Sequence, residues 1–436
     1  VIIRVCLAAA LLVPAAAMAQ GNPGPYGKLF GRAPATSGAE EHTRVEVRSS
    51  IGANYDSVLL VPEGFPPDVP LDSGISSGGS AVLGIDHRSS IFLANLSGGA
   101  TRGQYFTQPS AYGNTLYFAN GRVNATLSTR FEAYASAGYT HSPYYEFFSD
   151  FGRSPVDPNI VPDNTVLPFS PFATVMLENE TVDGTVGLTG RITKHSTISV
   201  SGYQRRTHFV NQPDDDVTMS GYNATWNWQL SRDLGVHAGY GREYVDVRDP
   251  ERLDYDSAVI DVGVDYNRAF SIARRTTLRF NTSTSVVKYP GVNGEFRVNG
   301  GVNLSKYFRR TWVAAAQYNR ATSFVPGFFE PLYTDTVGAS LGGMLSTRVQ
   351  FSTAISGARG ESSFADTTGF NTYAAQTTLS VALTKHMSTY TSYVAYWYEV
   401  PPNGFTLTVP GTMARQMVSA GLSFYVPVYE KVRRGQ

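Results

Sequence analysis

The feature that most constrains this chain is a recurring unit: a run of alternating apolar and polar residues, a short turn of the form Leu-Ser/Thr-x-Arg or Thr-Lys-His, then a second alternating run. The turns are read at Leu127-Ser-Thr-Arg130, Thr193-Lys-His195, Leu230-Ser-Arg232, Leu304-Ser-Lys306, Leu345-Ser-Thr-Arg348 and Thr384-Lys-His386. The opposite ends of the runs are joined by longer segments rich in Pro, Gly, Asp and Asn. A period of two sends successive side chains to opposite faces of a strand. Short turns on one side and long loops on the other then describe an antiparallel up-and-down barrel that crosses a bilayer with strands.

The apolar rows are explicit. Ile51, Ala53 and Tyr55 alternate with Ser50, Asn54 and Asp56; further on come Phe131, Ala133, Ala135, Ala137 and Tyr139, then Tyr222, Ala224, Trp226 and Trp228, then Ile260, Val262, Val264 and Tyr266. Counting such runs predicts an all-β transmembrane barrel of about eighteen strands, sixteen if marginal runs are discounted. The second run (Ala81 to Asp86), the fourteenth and the fifteenth are the weakest by pattern. An even number returns both ends of the barrel to the short-turn side. Outward aromatics near run ends are expected to form two girdles: Phe131, Trp228, Phe270, Tyr307 and Phe308 toward short turns, and Tyr139, Tyr240 and Tyr318 toward long loops.

Composition supports strands in a membrane. Charged residues make up 16% of the chain and aromatic residues 12%, against about 25% charge in an ordinary soluble domain. The formal net charge of +0 gives no reason to expect a nucleic-acid partner. Arg4, the apolar run from Val5 to Val13 and the Ala-rich stretch ending at Ala19 predict a signal peptide over 1–19. The one cysteine, Cys6, lies within it, so no disulfide framework is expected. Residues 20–43 read as a flexible periplasmic leader, 44–426 as the barrel, and 427–436 as a basic periplasmic tail with Lys431, Arg433 and Arg434.

Two groups of residues are candidates for acting on solutes. The segment 142–179 is a long outer loop with six prolines and the cluster Tyr144, Tyr145, Glu146, Phe147 and Phe148. It is expected to fold inward and narrow the pore, because a barrel of this size is too wide for wall side chains alone to fill. By parity, Asp183, Arg191, Arg205, Asp261, Asp265, Arg279, Glu295 and Arg297 point into the lumen, with Asp265 expected nearly opposite Arg279. They are read as lining the pore or as cross-strand pairs that stiffen the wall. The histidines are scattered, without metal-ligand spacing. Asp214-Asp-Asp216 is expected to be a solvated loop tip, and Asn95, Asn124 and Asn281 fall on lumen-parity positions. No phosphate-cradling or nucleotide motif is present, so neither an enzymatic role nor a cofactor is expected.

The turns Ile192-Thr-Lys-His-Ser-Thr197 and Leu383-Thr-Lys-His-Met-Ser388, each leading into alternating strands with Tyr or Trp, resemble the β-barrel porin families of Gram-negative bacteria. The group that includes outer-membrane components of exopolysaccharide secretion is the most similar in style. The resemblance implies an outer-membrane location, contact with lipid and lipopolysaccharide, and delivery by the outer-membrane assembly machinery. It implies passage of small polar solutes, with polysaccharide secretion or a non-transporting structural or adhesive barrel as alternatives. Phe424 and Tyr425 form an aromatic end signal that lies internal to the sequence. Polar replacements are expected to be tolerated at inward Asn223 and Gly263 and not at outward Ala224 and Val262.

Overall fold

The structure is a computed structural model that describes residues 41–58, 73–106, 114–146, 177–210, 212–248, 255–269, 276–289, 292–308, 311–325, 328, 331–362, 369–400 and 411–433. The segments 1–19 and 20–40, Phe147, Phe148 and Phe270 lie outside the described residues.

Eighteen strands form one antiparallel sheet. In chain order they are β1 (Glu41–Asp56), β2 (Gly74–Arg88), β3 (Phe92–Tyr105), β4 (Asn114–Thr126), β5 (Phe131–Ser142), β6 (Asn179–Arg191), β7 (Ser196–Phe209), β8 (Val217–Gln229), β9 (Leu234–Val247), β10 (Tyr255–Ala269), β11 (Thr276–Tyr289), β12 (Val292–Phe308), β13 (Trp312–Ser323), β14 (Leu332–Met344), β15 (Val349–Ser362), β16 (Gly369–Ala382), β17 (Met387–Glu399) and β18 (Thr412–Arg433). Each strand pairs with its sequence neighbours, and β18 closes the ring by pairing with β1 from Asp56↔Met417 to Glu41↔Arg433. Closure leaves every strand of the wall with two partners, which removes the open edges that a membrane-crossing sheet cannot carry.

The recurring turns share one hydrogen-bond pattern. In the β4–β5 turn, Leu127 N and Ser128 N both donate to the Phe131 carbonyl, while Ser128 Oγ accepts from Arg130 N and Phe131 N, each at 3.2 Å. Thr193, Ser231, Ser346 and Thr384 repeat it in the turns after β6, β8, β14 and β16. A hydroxyl at this position satisfies backbone donors that a two-strand connection would otherwise leave open. Leu304-Ser-Lys306 departs from the sequence expectation: it lies inside β12, opposite Leu278, Thr277 and Thr276, and the reversal comes after Phe308. The local turn signal is overridden there by pairing on both sides.

The outward row carries the exposed apolar side chains, including Ile51, Leu83, Val186, Ala224, Val262, Val302 and Tyr373. Phe131, Trp228 and Phe308 are exposed toward the short turns, and Tyr139, Tyr240 and Tyr318 toward the long loops. Tyr307 does not join them, because its neighbours Lys306 and Phe308 hold the outward positions and its own parity is inward. Among the described residues no helix is long and apolar enough to cross a membrane.

Inward aromatic rings lie flat across glycines on the next strand. An ideal Cβ on Gly187 would overlap the Tyr134 ring, and one on Gly221 would sit 2.7 Å from the Tyr203 ring. The missing side chain is what lets each ring lie along the wall. The paired wall is longer at both ends than its sequence boundaries: β1 begins at Glu41, and β18 runs to Arg433 with Val428 as the extra residue of a bulge between Pro427 and Tyr429.

Candidate functional site

The inward rows differ between the two halves of the ring. On β14 to β18, β1 and β2 the inward side chains are buried along most of the wall, among them Gln350, Ser380, Ser392, Ser419, Ser50 and Ser76. On β3 to β13 many stay open to solvent.

At the long-loop end the two halves are bridged. Tyr144 and Tyr145 directly follow β5 and are only 4% and 5% exposed. Ser142 and Asn179, register partners at the base of the long loop, both hold the Tyr144 carbonyl: Ser142 Oγ donates to it at 2.8 Å and Asn179 Nδ2 at 2.8 Å. The Tyr145 ring then packs on Phe209 of β7, centroids 6.1 Å apart. Both belong to an apolar cluster with Leu177, Phe328, Phe370, Tyr396, Tyr398 and Met413. In an eighteen-stranded order β7 and β16 lie half a ring apart, so this cluster spans the lumen from wall to wall. A short run of aromatic side chains supplies enough apolar area to hold such a bridge without regular structure.

Beside the cluster, Arg415 of β18 and Asp56 of β1 form an ion pair that is almost completely buried. Arg415 Nε donates to Asp56 Oδ1 at 3.0 Å and to Oδ2 at 3.1 Å. Tyr105 hydrogen-bonds to the pair. At the short-turn end of the same seam, buried Glu46 accepts from Arg48 Nε at 2.6 Å and lies 3.0 Å from Arg44 Nε. Those three charges all belong to β1, and the contact that crosses the seam there is Arg44 over the Tyr425 ring of β18 at 5.4 Å from its centroid.

The charges expected in the lumen are placed as follows. Asp183 and Arg205 are register partners, and Asp183 lies over Gly138, where a Cβ would meet its carboxylate. Asp261 and Asp265 are joined through His237: Nε2 to Asp261 Oδ1 is 3.1 Å and Nδ1 to Asp265 Oδ2 is 2.8 Å. Asp265 faces Asn281 across β10–β11, whereas Arg279 faces Asn267, a two-residue offset from the sequence expectation. The paired residues at that end of β10–β11 are Ala269 and Thr277, and this register sets the offset. Arg191 is exposed at the end of β6, Arg279 is exposed on β11, and Arg297 lies over the Tyr333 ring at 5.0 Å. Glu295 is on β12 opposite Val287, with its side chain outside the described residues. Glu146 is half-buried beside Tyr145.

Sequence reading missed Asp56, Arg415, Glu46 and His237. A signal for His237 was available: Gly235-Val-His-Ala-Gly239 on β9 lies against Asp261-Val-Gly-Val-Asp265 on β10, with His237, Asp261 and Asp265 each opposite a glycine. Asp216 of the acidic loop tip is buried, accepting from His208 Nδ1 at 2.8 Å and Phe209 N at 3.0 Å, while Asp214 is exposed. Among the described residues no group of acidic, His or Cys side chains has the arrangement of a metal site.

No protein-family model matches the chain, and no curated protein matches it. Similar solved structures include Pseudomonas aeruginosa OpdO, with a TM-score of 0.44 at 10% identity, covering 89% of this chain and 98% of that chain. Pseudomonas aeruginosa OccK2 (OpdF), crystallised in complex with glucuronate, has a TM-score of 0.44 at 6% identity, covering 89% and 98%. The siderophore receptor PirA from the same organism has a TM-score of 0.40 at 9% identity, covering 88% and 80%.

Proposed function

We propose that this chain is a bacterial outer-membrane channel for small polar solutes, without enzymatic activity. The closed ring with an apolar outer belt and polar inner rows suits a bilayer on one side and water on the other. The observation that carries the reading is the burial of Tyr145 in the cluster that reaches the far wall, with its sequence neighbour Tyr144 also buried. A non-transporting surface barrel has no use for a constriction pinned at its base. A wide lumen that must discriminate among solutes does.

Planar-bilayer recording of the refolded protein tests it. The wild type is expected to conduct in discrete steps, and Tyr144→Ala/Tyr145→Ala to conduct with larger steps. A folded barrel that stays closed under every condition would return the chain to a structural or adhesive role. Current that falls only when a long glycan enters from the short-turn side would favour polysaccharide secretion.

A further inference from the structure

We infer that the channel prefers neutral, polyhydroxylated solutes, and that they are met by a saddle of amides on β11 to β13. The inference rests on the channel reading above. Away from the short-turn rim, the exposed inward side chains among the described residues include the amides Asn120, Asn223, Asn281 and Asn319, together with Arg279 and the side chain of Asp265.

Two of these amides converge. Gly301 of β12 is the register partner of Asn281 on β11 and of Asn319 on β13. A Cβ at Gly301 would lie 3.0 Å from Asn281 Oδ1 and 3.2 Å from Asn319 Oδ1, so both amide heads lean over the glycine from either side. One inward step along the wall, Asn303 and Gln317 face each other across β12–β13. The nearest flanking charges are opposite in sign: Asp265, facing Asn281, and Arg279, facing Asn303. Asp265 is in turn tied to His237.

An amide presents a donor and an acceptor side by side, and a hydroxyl does the same, so a row of amides can exchange hydrogen bonds with successive hydroxyls whichever way each is turned. A charged solute entering this stretch gives up hydration without gaining an unbalanced counter-charge. Neutral sugars lose less. A site that hydrogen-bonds hydroxyls also discriminates strongly against solutes that cannot return those bonds.

The test is swelling of proteoliposomes containing the refolded full-length protein, comparing glucose with glucosamine and gluconate, which match it in size and differ in charge. Glucose is expected to enter several-fold faster than either. In Asn281→Ala/Asn319→Ala that ratio should fall toward one with potassium chloride conductance retained, and Asn281→Gln/Asn319→Gln should restore part of it. The same hydroxyl chemistry arrives as free sugar or as a passing polymer. Swelling by glucose marks the first source; long current blocks by a linear glucose oligosaccharide without glucose swelling mark the second, and either supports the saddle if Asn281→Ala/Asn319→Ala abolishes it. Equal entry of charged and neutral sugars without oligosaccharide blocks, or a preference that survives Asn281→Ala/Asn319→Ala, would overturn the inference while leaving the channel intact. Absence of both swelling and current for every solute would instead overturn the channel reading on which it rests.

Discussion

Val262 and Gly263 are adjacent on β10 and belong to opposite worlds. Val262 is 56% exposed on the outer face, and Val262→Arg should lower stability by about 2–4 kcal/mol if the site is near the midplane. Urea titration of folding into lipid vesicles measures it. Asn223→Ser on the exposed inner face should fold almost as well as wild type. Gly263 does not share that tolerance, although parity alone predicts it: a Cβ there would overlap the Thr282 carbonyl and lie 2.7 Å from His237 Cε1. Parity tells which way a side chain points and says nothing about the room it finds. The same limit hid Asp56 and Arg415, whose inward direction was readable and whose partnership across the β1–β18 seam was not. Breaking that pair from one side, as in Arg415→Met, should cost about 3–5 kcal/mol, because a buried carboxylate is left without its counter-charge. Asp56→Leu/Arg415→Met should cost less than the sum of the two single changes, a difference that a double-mutant cycle in the same titration reads directly.

Single strands and turns show where local pattern was sufficient. The turn hydroxyls were legible because the sequence repeats them and each acts within its own connection. Ser128→Ala removes the acceptor for Arg130 N and Phe131 N and should destabilise by about 0.5–1.5 kcal/mol. Ser305→Ala, from the look-alike triplet inside β12, should be silent by comparison. A midpoint shift in urea at Ser305→Ala equal to that at Ser128→Ala would show that the hydroxyl is not the working part. Strand β2 is the opposite case. Its sequence, rich in Gly and Ser, gave a pattern only from Ala81 to Asp86, yet it spans Gly74–Arg88. It is held by full-length pairing with β1 on one side and β3 on the other, a tertiary cause that no window of its own sequence contains. The constriction is half legible for a related reason. Tyr144 and Tyr145 stood out as an aromatic cluster, but Phe370, Tyr396 and Met413, which share the apolar cluster with Tyr145, are far along the chain.

At the scale of the whole molecule the seam between β1 and β18 sets an order of events. Every other wall contact joins strands that follow one another in the chain, so seventeen of the eighteen strand pairings can form as successive hairpins. The last cannot. Arg415 and Asp56 are 359 positions apart, and the seam they belong to carries the largest closure entropy of the described strand pairings because the cost of closing a loop grows with its length. Until β18 has been made, β1 and the growing strand beyond it are two bare edges, each a template for pairing with another chain. Removal of 412–433 should therefore leave a chain that forms oligomers or aggregates instead of a smaller ring, as gel filtration of the refolded product would report. A well-behaved monomeric barrel from that truncation would contradict the role given to the seam. The buried pair then acquires a temporal meaning. It can exist only after the final residue span has arrived, so its burial is a mark of completion, and a protein lacking it should reach the sheet stage at the normal rate and stall at the join.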